Sequence, residues 1–355
     1  GSLVYDRIMD FPGYFRDHIM PDKIHILNVA FAVNGLKESF GGTAGNIAYN
    51  LALLGEKPTI LSTVGHDFAP YKKWLLKNKI DVSRVKMVKE RKTASCYIIT
   101  DKADNQITGF HADALNEESF GKEKIPLTPF VKGGKFVTSP NPLLRKEGDN
   151  TPLVKGGEGG FIAIIAPGNI RDMENYARFY KKAGIKYIFD PGQAITALKP
   201  LALKNAVKGA EALIGNDYEV SLLSKKTGWT TNEIIDKVGM LIITKGEKGS
   251  EIYSRHKIPL HPLYTKGAIF RKGKLLRKII IPAVRLKKVV DPTGAGDAYR
   301  AGFIKGMTQG WDAKKCGQLA SVVASFAVEK YGTQEHRFSL RDIEKRYKNA
   351  YKENF

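Results

Sequence analysis

Asp291-Pro292-Thr293-Gly294-Ala295-Gly296-Asp297-Ala298-Tyr299 follows a basic, β-branched run, Leu286 to Val290, and leads into Ala301-Gly302-Phe303-Ile304. The order predicts a strand, a tight glycine turn and the start of a helix. Two glycines let the backbone turn without Cβ clashes, and the first amides of the helix then point unpaired at whatever lies in front of them, with the macrodipole adding positive charge. An anion such as phosphate suits that junction. Asp297 stands inside the turn, where a loop that only held phosphate would gain nothing from a negative charge. A carboxylate beside a transferring phosphoryl group can instead take the proton from a hydroxyl. The plainer reading makes Asp291 and Asp297 a helix N-cap and a first-turn acid, and the stretch by itself leaves both open.

Outward from this stretch, the chain has 355 residues and 43% hydrophobic content, enough for a sizeable core. Its longest apolar run, about Phe161 to Ala166, is far short of the roughly 18 residues of a membrane span. No membrane span is expected. Cys96 and Cys316 lie far apart without metal-type spacing, which disfavours a disulfide framework or zinc site and suits the cytoplasm.

The net charge of +21 invites a nucleic-acid partner, but its distribution argues against one. Residues 121–160 carry seven Lys/Arg against four acids, and 255–278 carry eight with no acid, so these two segments hold roughly half of the excess. Both are low in complexity and share similar phrases, Pro126-Leu127-Thr128-Pro129, Thr151-Pro152-Leu153-Val154 and Pro259-Leu260-His261-Pro262. Irregular spacing excludes a solenoid, and both segments read as insertions.

Elsewhere strand-like and helix-like segments alternate: Thr59–Gly65, Phe161–Ala166, Tyr187–Phe189, Leu213–Gly215 and Leu241–Thr244, with helical stretches between them. That pace predicts an α/β fold, a mostly parallel central sheet with helices on both faces. Ile24–Phe31 and Thr93–Thr100 are strand-like, and Asp67 is expected to cap a helix. Phe40-Gly41-Gly42-Thr43-Ala44-Gly45-Asn46 reads as a glycine turn entering a helix that stops at Gly55. Asn216 and Glu219 share a helix face as a capping pair. No Walker motif appears.

The D-P-T-G-A-G-D of residues 291–297 is similar to the signature of the ribokinase-like (PfkB) family of sugar and nucleoside kinases. The motifs that follow keep that family's order across nearly the whole chain outside the two insertions. The resemblance implies a single ribokinase-like domain over 1–355, with a small β lid from about 11–40 and 92–112 that includes Gln106–Phe110. It implies Asp297 as catalytic base and Gly294, Ala295 and Gly296 as the anion hole. Gly1-Ser2 and Asp6 match G-S-x-x-x-D, and Gly42 and Asn46 match G-G-x-x-x-N, which implies contacts of Asp6, Gly42 and Asn46 with sugar hydroxyls. Asn216 and Glu219 match N-x-x-E, with Glu219 positioning metal-bound water. Thr244, Gly246 and Gly249 resemble the family's T-x-G-x-x-G nucleotide loop, and Gly332-Thr333-Gln334-Glu335-His336 is expected to border the adenine.

The chain departs from the family where Ala112-Asp113-Ala114 replaces the usual Pro-Gly-Ala. The chain opens at Gly1 without a methionine, which reads as an incomplete start. In the family a buried first strand ends in G-S-x-x-x-D, which implies Asp6 at the end of a strand whose body would precede Gly1, and a sheet short of that strand is expected to be poorly stable. The implied activity is ATP-dependent phosphoryl transfer to a primary hydroxyl of a ribose-containing substrate, adenosine or another nucleoside, with Mg2+, and K+ left open. The forms around Phe40–Asn46 and Gly332–His336 look most like microbial adenosine or nucleoside kinases. A sugar or sugar-phosphate kinase, and an inactive relic that binds polyanions, stay as alternatives. A homodimer is the assembly left open.

Overall fold

The computed structural model describes residues 1–103, 105–119, 162–256, 268–271 and 274–355. Chain order is β1 (Val4–Asp10), β2 (Asn34–Gly41), α1 (Thr43–Leu53), β3 (Ser62–Gly65), α2 (Ala69–Lys77), β4 (Val85–Val88), β5 (Ala94–Thr100) and β6 (Gln106–His111). There follow β7 (Ala163–Ile165), α3 (Ile170–Ala183), β8 (Tyr187–Phe189), α4 (Pro200–Val207), β9 (Ala212–Asn216), α5 (Asp217–Thr227), a short α6 (Thr231–Ile235) and β10 (Met240–Thr244). The last elements are β11 (Ser250–His256), β12 (Ala268–Arg271), β13 (Lys274–Ile281), α7 (Ala295–Thr308), α8 (Ala313–Ala327) and α9 (Leu340–Tyr351).

The main sheet runs β12-β13-β11-β10-β9-β8-β7. It is parallel from β7 to β10 and antiparallel from β10 to β12. Nearly every residue of β8, β9 and β10 is apolar, as strands buried on both faces require. The two-residue period then sorts the side chains. Phe189, Leu213, Leu241 and Ile243 meet Met173, Tyr176, Leu203 and Val220 from α3, α4 and α5. Ile188, Ile214 and Ile242 meet Ile47, Phe303 and Ala320 from α1, α7 and α8 on the other face. Each fully buried Leu or Ile contributes on the order of 1.5–3 kcal/mol.

A second sheet, ordered β2-β1-β5-β6, forms the lid. Its strands correct three expectations. Ile24–Phe31 is not a strand: a 3-10 turn spans Pro21–Ile26, and the polar run Asn34–Gly41 supplies β2 instead. Asp6 lies in the middle of a lid strand, with Ser39 and Cys96 as its neighbours in register, rather than at the end of a strand of the main sheet. Asp67 caps no helix; its Oδ1 accepts from the Thr93 amide and so anchors the entry to β5.

The segment expected as an insertion at 255–278 overlaps β12 and β13. Leu276, Ile279 and Ile281 of β13 belong to the core. Residues 257–267, and the whole of 121–160, lie outside the described residues. Among the described residues β7 pairs only with β8 and β3 only with β4. Gly1, Leu61, Ser62, Ile165 and Asp172 line a small cavity between those two strands, and the Gly1 amine donates to the Leu61 carbonyl at 3.4 Å.

Candidate active site

The parallel strands β8, β9 and β10 end side by side, and their carboxyl ends carry Asp190, Asn216 and Thr244. The crevice beyond such ends is where open α/β sheets bind ligands. α7 points its N-terminus into the same space. Gly294, in the left-handed region at φ 79°, is its N-cap and offers no side-chain cap. The Ala295 amide donates back to the Pro292 carbonyl at 3.2 Å, so the first-turn amides left facing the cleft are those of Gly296 and Asp297. Asp291 braces the turn from behind, its carboxylate accepting from the amides of Thr293 and Gly332 at 2.9 Å each.

Asp297 keeps partial contact with solvent and is otherwise ringed by protein. Asn46 Nδ2, from α1, donates to its Oδ2 at 2.8 Å. Burial pushes the Asp297 carboxyl up to about 6; Arg300 and the Asn46 hydrogen bond oppose this, and Asp190 and Glu219 add to it. A carboxylate tuned to that range is mostly ionised at neutral pH yet able to hold a proton.

Asp6 faces the same space from the lid. It is 8% exposed and no hydrogen-bond donor meets it among the described residues, an arrangement that costs free energy unless a ligand supplies the donors. Burial first, then the charges of Asp297 and Asp291, push its carboxyl up to about 7. Gly41 is a glycine for a steric reason, because a Cβ there would stand 1.8 Å from Asp6 Oδ2. Gly42 is the N-cap of α1, one residue further on.

Glu219 Oε2 accepts from the Asn216 amide at 2.8 Å and Asn216 Oδ1 accepts from the Glu219 amide at 2.7 Å, closing the capping box read from the sequence. Burial raises the Glu219 carboxyl, against the pull of the Asn216 amide and Arg300. Thr244 lies beside Asn216 in register, and Gly246 and Gly249 flank the short turn between β10 and β11. The structure thus brings Asp6, Gly42, Asn46 and Asp297 together on the lid side of the α7 turn. Asn216, Glu219 and Thr244 stand at the strand ends.

Two groups beside the site have no such contact in the sequence reading: Arg300, which it passes over, and Gln334, which it places only in the segment expected to border the adenine. Arg300, one turn after Asp297, makes a buried ion pair with Asp190, with Nη2 donating to Oδ1 at 2.6 Å and Nε against Oδ2. Burial works against the guanidinium charge, but Asp190, Asp297 and Glu219 outweigh it and hold its pKa above the ordinary value. Gln334 is 2% exposed and donates to Asn46 Oδ1 at 3.0 Å. A cation on the buried face of α7, and an acid at the end of an all-apolar strand, were the available signals.

The profile of the pfkB family carbohydrate kinases matches residues 4–138 and 161–338. A nucleoside kinase of Methanocaldococcus jannaschii is 32% identical over 311 residues, covering 86% of this chain and 85% of that protein. Among solved structures, the Burkholderia thailandensis nucleoside kinase in complex with inosine superposes with a TM-score of 0.77 at 31% identity, covering 100% of this chain and 97% of that one. The solved Methanocaldococcus jannaschii nucleoside kinase gives 0.73 at 26% identity over 98% and 96% of the two chains.

Proposed function

This chain belongs to the pfkB family of carbohydrate kinases and is a kinase, and on that premise we propose that it moves the γ-phosphoryl group of ATP to a primary hydroxyl of a nucleoside, adenosine among them. The observation that carries this reading is the pairing of Asp297, a hydrogen-bonded carboxylate at the mouth of an amide-lined helix N-terminus, with Asp6, a buried carboxylate that lacks donors.

Asp6 accepts hydrogen bonds from two neighbouring ribose hydroxyls and is held ionised by them. Asp297 takes the proton of the attacking hydroxyl. The acceptor oxygen bonds to the γ-phosphorus, the bond from that phosphorus to the bridging oxygen breaks, and ADP leaves. The amides of Gly296 and Asp297 face the charge on the transferring group. Among the described residues no three acidic, His or Cys side chains are placed to hold a metal ion between them. The Glu219 carboxylate would hold a Mg2+ through water, and the ion would supply positive charge against the phosphates.

Preference for a nucleoside over a free sugar is supported by the lid. Asp6, Cys96 and Phe110 stand opposite one another on three successive strands and so share a face. Phe110 is 49% exposed there, about 10 Å from Asp6 at the usual strand spacing. An aromatic ring at that distance suits a base attached to a ribose held at Asp6, and a free sugar has no use for it.

The test is ADP release measured across nucleosides and free ribose with wild type and Phe110→Ala. Turnover of nucleosides is expected, with KM for them raised at least about fivefold in Phe110→Ala, the low end of base-stacking energies. Equal effects on nucleoside and ribose would end the role of Phe110. Preference for ribose would favour the sugar-kinase reading, and no turnover with any acceptor the inactive relic.

A further inference from the structure

A chain of buried side chains runs from the candidate base to Trp74, and its hydrogen-bond directions can be fixed from one end. An indole N–H can only donate. Trp74 Nε1 donates to Gln334 Oε1 at 2.9 Å, so the Gln334 amide nitrogen must face the other way. It donates to Asn46 Oδ1 at 3.0 Å and to the Tyr71 hydroxyl at 2.6 Å, and that hydroxyl passes its own proton to the Gly41 carbonyl at 2.8 Å. With its oxygen occupied, Asn46 can only turn its NH2 toward Asp297, at 2.8 Å. Gly45 leaves the room for this, since a Cβ there would lie 1.9 Å from the Tyr71 hydroxyl and 3.0 Å from Gln334 Nε2.

We propose that Gln334, oriented by Trp74, is a positioning residue that sets the Asn46 amide with its NH2 toward Asp297 and so keeps that carboxylate a charged proton acceptor. This rests on the reading of Asp297 as the base. The reverse orientation of Asn46 would press a carbonyl oxygen against the carboxylate. The charged groups around Asp297 are Arg300 on its own helix, Asp190 at the end of β8, Glu219 on α5, Asp6 on β1, and Asp291 ahead of the turn. None of them touches Gln334. Of the ionisable residues next to it in the chain, His336 meets Asn50 Oδ1 through its Nε2 at 2.8 Å, Arg337 lies over the Trp74 ring at 5.4 Å, and no hydrogen bond or ion pair joins the Glu335 side chain to Gln334 or Trp74 among the described residues.

Gln334→Glu is the sharp variant. A carboxylate accepts from Trp74 but cannot donate to Asn46, so the Asn46 amide turns over and shows its oxygen to Asp297. Loss of a donor and gain of an acceptor both disfavour the ionised form. The acidic limb of log kcat against pH is expected to move up by one unit or more, and the Asp297 carboxyl titration, followed by carbon-13 NMR, should move with it. Gln334→Met, which neither donates nor accepts, should move both by less than half as much. Trp74→Phe keeps a ring but loses the orienting donor, and should shift the titration in the same direction by a smaller amount.

Lower melting temperatures with an unmoved Asp297 titration in Gln334→Glu and Trp74→Phe would overturn the proposal, leaving these residues a packing role only. If Gln334→Glu does not fold, Trp74→Phe decides alone. Asp297→Asn, run alongside, separates the two readings. Turnover within tenfold of wild type there would sink the base assignment, whereas the NMR titration speaks to Gln334 whatever Asp297 does.

Discussion

Asp6, the carboxylate proposed to bind ribose, burdens the empty fold. A carboxyl whose pKa is raised by folding, from 3.8 to about 7 here, binds its proton more tightly in the native state than in the unfolded chain. Its favourable contribution is therefore complete below about 3.8 and is lost as pH rises through about 7. At 8% exposure, the shift corresponds to on the order of 4 kcal/mol across that window. Asp297 works in the same direction with a smaller shift. We expect the melting temperature of Asp6→Asn, without substrate, to exceed that of wild type by an amount that grows between pH 4.5 and 7.5, reaching roughly 5 °C or more. The same variant should lose at least about a hundredfold in kcat/KM. A difference in melting temperature that stays flat with pH would mean that Asp6 is not protonated in the empty site.

At the scale of elements, β11 and β12 flank β13 on opposite sides and run parallel to each other, with His256 level with Leu275 and Ala268 level with Arg277. A link from His256 to Ala268 must cross two strand spacings and two residues of length, about 12 Å, which needs at least about four residues. Replacing 257–267 by six Gly/Ser residues is expected to leave the melting temperature within about 3 °C and ADP release within twofold. A cut that reaches Leu276 removes a core side chain and should destabilise by about 2–5 kcal/mol. Matching losses from the two changes, compared by thermal unfolding, would show that 257–267 matters in its own right.

These elements also mark what the sequence could and could not reveal. The α7 turn and the Asn216–Glu219 box were legible because each is decided within a few residues of chain. Arg300–Asp190 and Gln334–Asn46 join residues 110 and 288 positions apart, and although Arg300 and Asp190 each stand out locally, nothing local pairs either couple. Ile24–Phe31 has the side chains of a strand, yet it enters none of the three sheets. Asn34–Gly41 has few of those side chains and is a strand because β1 lies beside it.

For the whole molecule, the lid has two faces with different tasks. The face bearing Asp6 turns to the cleft, and the opposite one carries Tyr97 and Ile107 at 44% and 40% exposure. Exposed apolar side chains grouped on one sheet face suit a partner, and we propose a second copy of this chain, as a homodimer. Ile107→Glu should then halve the mass measured by sedimentation at micromolar concentration. A wild-type mass of one chain would remove the proposal.

The cavity between β3 and β7 has a practical side. A peptide joined to the Gly1 nitrogen sets out from a point where that nitrogen already bonds the Leu61 carbonyl and, among the described residues, two strand edges stand unpaired. An affinity handle fused there would compete for those edges. The far terminus is the better place for a tag or a fluorophore, behind a short spacer, since the Phe355 ring rests against Trp311 and Tyr347 at 5.3 and 5.6 Å and should be left to do so.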